Sequence, residues 1–128
     1  MINKLQAAVE IAEEIEASIF PVMTATQNEA ESDTYFMCRG VHRQTCDLAQ
    51  RLREINKEYI IEDNIDTDRN LNIELEPARN LIKQSMVLIG ILIDIEKNDE
   101  TAIALYTISN LILKAGKEIA RVQGVEYS

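Results

Sequence analysis

Residues 77–123 constrain the fold more than any other part of the chain. Two long helical patterns, PARNLIKQSMVLIGILIDIEK (77–97) and DETAIALYTISNLILKAGKEIARVQ (99–123), are joined by Asn98 alone. A joint this short forces antiparallel neighbours, so a helical hairpin is expected at the centre of the fold. Pro77 suits a first helical position, where its missing N–H costs little, and Gly124 is a natural stop. In the first pattern Ala78, Leu81, Ile82, Ser85, Leu88, Ile89, Leu92 and Ile95 make a broad apolar face. Val87, Ile91 and Ile93 extend it nearly all the way round, as on a helix buried on several sides. A buried strand over 87–95 is the rival, but the flanking periodicity and the absence of turn residues favour the helix. In the second pattern Ala102, Ser109 and Gly116 fall seven apart, flanked by Leu105, Ile112 and Ile119. That line of small residues is expected to pack against Ala78 and Ser85, with Gly90 and Gly116 marking close contacts, because glycine inside a helix costs ~1 kcal/mol against alanine.

Two more helices precede the hairpin. Ile2, Leu5, Val9, Ala12, Ile15 and Ile19 recur at helical steps, with Glu10, Glu13, Glu14 and Glu16 mainly off the stripe. Pro21 is expected to end this helix, and 22–33 then reads as a polar linker. A second helix starts at Asp33 or Thr34 and runs to about Glu58. Its apolar positions, Cys38, Val41, Thr45, Leu48, Leu52, Ile55 and Tyr59, alternate steps of three and four without exception. Such a heptad seam fits a bundle core and a self-associating coil equally well, which makes Val41, Leu48, Leu52 and Ile55 the candidate oligomer or partner face. Residues 59–76 form an acidic connection. LNIEL at 71–75 alternates like a half-buried strand that could pair with Tyr59, Ile60 and Ile61, so a short β-hairpin within 59–75 stands as the alternative to a loop.

These readings make residues 1–128 one all-α domain, a four-helix bundle built on the hairpin. It carries an acidic N-terminal helix and a heptad-patterned second helix, and the order of the first two helices is left open. Scarce aromatics, at 5% with no Trp, agree, since sheet-rich folds use more.

The formal charge of −9 argues against nucleic acid and anionic membranes as default partners. It is unevenly spread. Residues 1–33 carry one Lys and seven acids, net −6, and 59–76 carry one Arg and six acids, net −5. Between them 34–58 carry five basic residues and three acids, net +2. Met1 leads into an acidic amphipathic pattern instead of a signal sequence, and the longest apolar run, about ten residues, is half the ~20 a membrane span needs. With two cysteines and no signal, free thiols and a cytoplasmic location are expected.

Chemistry is hard to find. Cys38, His42 and Cys46 fall four apart on one helical face, so an adjacent pair could help chelate a soft or borderline metal such as zinc. Arg39, Arg43 and His42 could also assist a reactive thiol. Cys38 and Cys46 are ~12 Å apart along the axis, which prevents both from reaching one ion or forming a disulfide. The bland reading is three packing residues. The sole histidine leaves no pair of Glu-x-x-His motifs for a di-iron centre, and no nucleophile turn or phosphate loop is present. Asp66, Asp68, Asn70, Asn72 and Glu74 are spaced like a calcium loop, but its sixth position is Leu71 and its twelfth Pro77, where glycine and a bidentate acid belong.

No catalytic constellation, metal site or cofactor is therefore expected. The favoured reading is a non-enzymatic interaction module, a small acidic bundle that self-associates as a dimer and binds another, possibly basic, protein. In size and charge the chain is similar to secretion chaperones, immunity proteins and antitoxins, although no motif identifies a family. The alternative is a metal- or thiol-dependent sensor or minor enzyme centred on Cys38, His42 and Cys46.

Overall fold

The computed structural model describes residues 5–27, 32–59 and 65–125. Four helices follow one another: α1 (Gln6–Thr26), α2 (Ser32–Tyr59), α3 (Ile65–Ile95) and α4 (Asp99–Gln123). Each packs on its neighbours in the chain, and α1 closes the ring against α4. Cross-helix contacts give the directions. Asn56 reaches Gln6, Gln44 meets Ser85, and Gln123 meets Asn72 and Glu76. Successive helices are thus antiparallel, and the bundle is up-down-up-down. Its upper end holds the ends of α1 and α3 and the starts of α2 and α4.

The four-helix bundle expected from periodicity is present, with longer helices and shorter connections. Pro21 does not end α1, and Pro77 does not begin α3; both lie inside their helices. An internal proline removes the bond to the carbonyl four residues back and costs ~3 kcal/mol. Here both prolines are exposed, as are Ala17 and Ile73, so water can reach the freed carbonyls. Against that cost, α1 buries Val22 and Thr26 beyond its proline, and α3 buries Leu71 and Leu75 before its own. Thr26 Oγ1 also donates to the Met23 carbonyl at 2.9 Å.

Residues 71–75 are helical, which removes the strand proposed there; Ile60 and Ile61 lie outside the described residues. The side chains explain why. Leu71 and Leu75 are buried, while Ile73 between them is 65% exposed. A strand would have placed all three on one face; a helix places the first and last together and turns the middle one away. The calcium reading needed a loop, and the backbone from Ile65 onward is helical instead. The polar linker shrinks likewise: 22–26 belong to α1, 32–33 to α2, and 28–31 lie outside the described residues.

The joint between α3 and α4 is three residues, 96–98, where the sequence suggested Asn98 alone. Asn98 caps α4 by accepting the Thr101 N–H at 3.1 Å, and Asp99 and Glu100 face the helix dipole in the first turn. Gly124 ends α4 at φ 73°. Val125 N–H bonds to Ala120 and Gly124 N–H to Arg121, a Schellman closure that a left-handed glycine permits.

The core is a column of aliphatic side chains from all four helices. It includes Ile15 and Ile19, Leu48 and Leu52, Ile82, Ile89 and Leu92, and Leu105, Ile108 and Ile112. Thr45 interrupts the α2 seam without an orphaned hydroxyl, because Oγ1 donates to the His42 carbonyl at 3.0 Å. The small-residue line on α4 is less central than expected. Gly116 is buried, but Ala102 and Ser109 are only half-buried, and Ser85 turns away to donate to Gln44 on α2. Gly90 marks no close approach, since an added Cβ would meet nothing within 4 Å. The close approach is at Gly40, where a Cβ would come 3.1 Å from Leu88 Cδ2.

Candidate functional site

The sequence-predicted residues separate into two places. Val41, Leu48, Leu52 and Ile55 are 0–4% exposed and lie inside the monomer, facing the other helices. A self-associating coil through them would require the bundle to open, so the surface available to a partner lies elsewhere. Arg39, Arg43, Arg53 and Lys57 are exposed on α2.

Cys38 also belongs to the core, fully buried on the same seam. His42 and Cys46 are half-buried at the junction with α1 and touch each other, with Cys46 Sγ 3.5 Å from Nε2 and 3.9 Å from Nδ1. Antiparallel packing brings α1 residues to this pair. The Phe20 ring lies tilted on the imidazole with centroids 5.8 Å apart. Glu16 hydrogen-bonds the Cys46 thiol, and Arg53 approaches Glu16 at 4.0 Å. Glu16, Phe20 and Arg53 were not legible as members of one cluster. In the sequence Glu16 stands with the acids off the apolar stripe, and only the α1–α2 register brings it to Cys46.

A thiol beside an imidazole could in principle become a nucleophile or a metal ligand, and both roles need the thiolate. The surroundings oppose it. Burial comes first, then the hydrogen bond and negative charge of Glu16, then the charge of Asp47; Arg53 opposes them weakly. Together they push the thiol up to about 11. In a Cys–His–acid arrangement the carboxylate orients the imidazole; here it bonds the thiol instead. Neither cysteine is in a disulfide, and among the described residues no group of three His, Cys, Asp or Glu side chains is placed to hold a metal ion.

A second polar cluster joins α3 to α4 at the lower end. Gln123 is 8% exposed, and its Nε2 donates to the Asn72 carbonyl at 3.2 Å and to Glu76 Oε1 at 3.0 Å. Arg79 lies 3.8 Å from the same Glu76 oxygen. Higher up, α2 and α3 flank an open groove of about 510 Å³, walled by Asp47, Arg51 and Glu54 on one side and Asn80 and Gln84 on the other. Its walls mix both signs of charge and offer no focus for a small ligand.

The most distinctive surface is apolar. Nine large hydrophobic side chains among the described residues are exposed, and seven of them, Phe20, Phe36, Val87, Ile91, Ile95, Ile103 and Tyr106, belong to the upper half. Scattered single hydrophobes are ordinary on protein surfaces and contiguous patches are not; these seven share one end of the bundle but are spread over all four helices. No described helix is long and apolar enough to cross a membrane. No family model, curated protein or solved structure matches the chain.

Proposed function

We propose that the protein is a non-enzymatic interaction module, a small acidic helical bundle that self-associates as a dimer and binds a second, basic protein in the cytoplasm. Chaperones, immunity proteins and antitoxins act in this manner. One observation carries the reading: exposed apolar side chains gather at the upper end although the core below them is complete without them. Large exposed apolar patches mark interaction surfaces more often than they serve folding. The net charge of −9 adds a field that attracts basic proteins and repels nucleic acid and anionic lipid.

The competing reading places a metal- or thiol-dependent function on Cys38, His42 and Cys46. The contact between His42 and Cys46 favours it, and the neutral state of the Cys46 thiol weighs against it. Native mass spectrometry of protein purified gently from its own cells separates the two. A dimer, or a complex with a co-purified basic protein, is the expected result. A stoichiometric metal adduct lost on alkylating Cys46 would overturn it. So would loss of partner binding in a well-folded Cys38→Ser, Cys46→Ser double variant.

A further inference from the structure

The outward surface of α2 and α3 at the upper end has a symmetry that the single chain does not use. On α2, Asp33, Phe36, Gly40 and Arg43 follow at steps of three, four and three, so they share one line. Phe36 is 57% exposed, Asp33 and Arg43 are exposed, and Gly40 is half-buried. The midpoint of that line is the level of Cys38, with a ring and a notch at equal distances from it, and an acid and a base at equal distances further out. Gly40 is a notch only in lacking a side chain; the space its Cβ would take lies 3.1 Å from Leu88 Cδ2 of the same molecule. Neither Asp33 nor Arg43 has an ion pair with a described residue.

The neighbouring row on α3 has the same centre. Val87, Ile91 and Ile95, at four-residue steps, are 66%, 46% and 40% exposed. The approach of Gly40 to Leu88 and the bond between Gln44 and Ser85 fix the α2–α3 register. One turn further up, that register brings Ile91 close to the level of Cys38. Ring and notch, acid and base, and an uncharged row therefore all centre on one level of the bundle.

We propose that this face is the interface of a homodimer, two copies packed antiparallel about a two-fold axis that passes near Cys38 and Ile91. Phe36 of each copy covers the notch at the partner's Gly40, Asp33 pairs with the partner's Arg43 twice over, and the α3 rows meet across the axis. A two-fold interface must be self-complementary, since every contact occurs twice with the roles exchanged. An acid and a base equidistant from an apolar centre satisfy that requirement. A basic partner would instead meet Arg39 and Arg43 here, so its surface lies elsewhere on the acidic molecule. The inference rests on the reading of the chain as an interaction module and assigns the self-associating part of it.

Sedimentation of the full chain from micromolar to millimolar concentration, with circular dichroism as the check on folding, tests the proposal. Wild type is expected to dimerise, and Ile91→Asp to be monomeric with its helicity intact. Asp33→Arg and Arg43→Asp each turn two attractions into two repulsions and should weaken the dimer roughly tenfold. The double variant should recover most of that loss. Arg43→Asp lies mid-helix and keeps the test readable if Asp33→Arg frays the start of α2. A monomer at every concentration, a dimer indifferent to both single changes, or a double variant that stays weak would each overturn the two-fold arrangement. A different protein bound by wild type and released by Ile91→Asp would overturn it too, while leaving the interaction reading in place. Failure of self-association together with failure to capture any protein would remove both.

Discussion

The two ends of the bundle are finished by opposite rules. At the lower end polar side chains reach across helices: Gln123 Nε2 bonds to Asn72 and Glu76, and at the surface Asn56 reaches Gln6 at 3.4 Å. At the upper end the backbone is closed just as well, by Asn98 and the Thr101 N–H, yet ring and aliphatic side chains stand in water. Both ends share one aliphatic core, so folding does not explain the difference. Burial and capping account for the lower end. The upper end carries most of the exposed large hydrophobic side chains among the described residues, and the proposed interaction would use them.

The sharpest way to break this contrast is to place the same charge at two positions. Leu52→Asp puts a carboxylate into a fully buried site with no partner, and it should abolish the folded state, read as loss of far-UV helical signal. Ile91→Asp should shift stability by no more than about 0.5 kcal/mol, or roughly 2 °C in Tm, when measured dilute enough to exclude association. A large loss of monomer stability from Ile91→Asp would show that the upper surface serves the fold after all. A folded Leu52→Asp variant would show that the seam is not core.

Smaller effects sharpen the lower end. Gln123→Ala removes two hydrogen bonds at a buried position and should cost about 1 kcal/mol in chemical denaturation. No loss there would mean that the α3–α4 polar cluster only tolerates burial. Two of the helical glycines provide a finer comparison. Gly90→Ala has open space for its methyl group and should gain about 0.5–1 kcal/mol. Gly40→Ala must displace Leu88 and should gain less, which the paired melting curves would resolve.

The smallest effect concerns Cys46. Its thiol is held at about 11 against an ordinary 9.0, so the folded state favours the protonated form. The stability this contributes is complete below pH 9 and is lost as the pH rises from 9 toward 11. Alkylation of Cys46 in the folded protein should therefore be slower at pH 8 than that of an unperturbed thiol. Glu16→Gln should speed it. Fast alkylation that is indifferent to Glu16 would revive the thiol reading.

The sequence disclosed the hairpin because its evidence is local. Asn98, Gly124 and the apolar steps between them act within a few residues of each other. The sequence misplaces the helix ends at Pro21 and Pro77 for a physical reason: a local rule weighs the proline, but burial of Val22 or Leu75 depends on the other helices. LNIEL was ambiguous because positions 71 and 75 share a face in both a strand and a helix; only the exposure of Ile73 decides. The candidate site was legible only within α2, where His42 and Cys46 are one turn apart. Glu16 and Phe20 reach them through a register set by tertiary packing. Gly40 and Gly90 look alike in sequence, and only the neighbouring helix tells them apart.

The ring-like order of the helices has a kinetic consequence. Three of the four helix junctions join consecutive elements across very short connections, and only the α1–α4 junction brings distant parts of the chain together. Topologies dominated by such near-neighbour contacts fold in microseconds to milliseconds. The entropy of closing a long loop falls on one late event, the docking of α1 against α4. Until that docking occurs, an open row of four helices would expose Leu105, Ile108 and Ile112, giving the nascent chain a second and transient sticky surface.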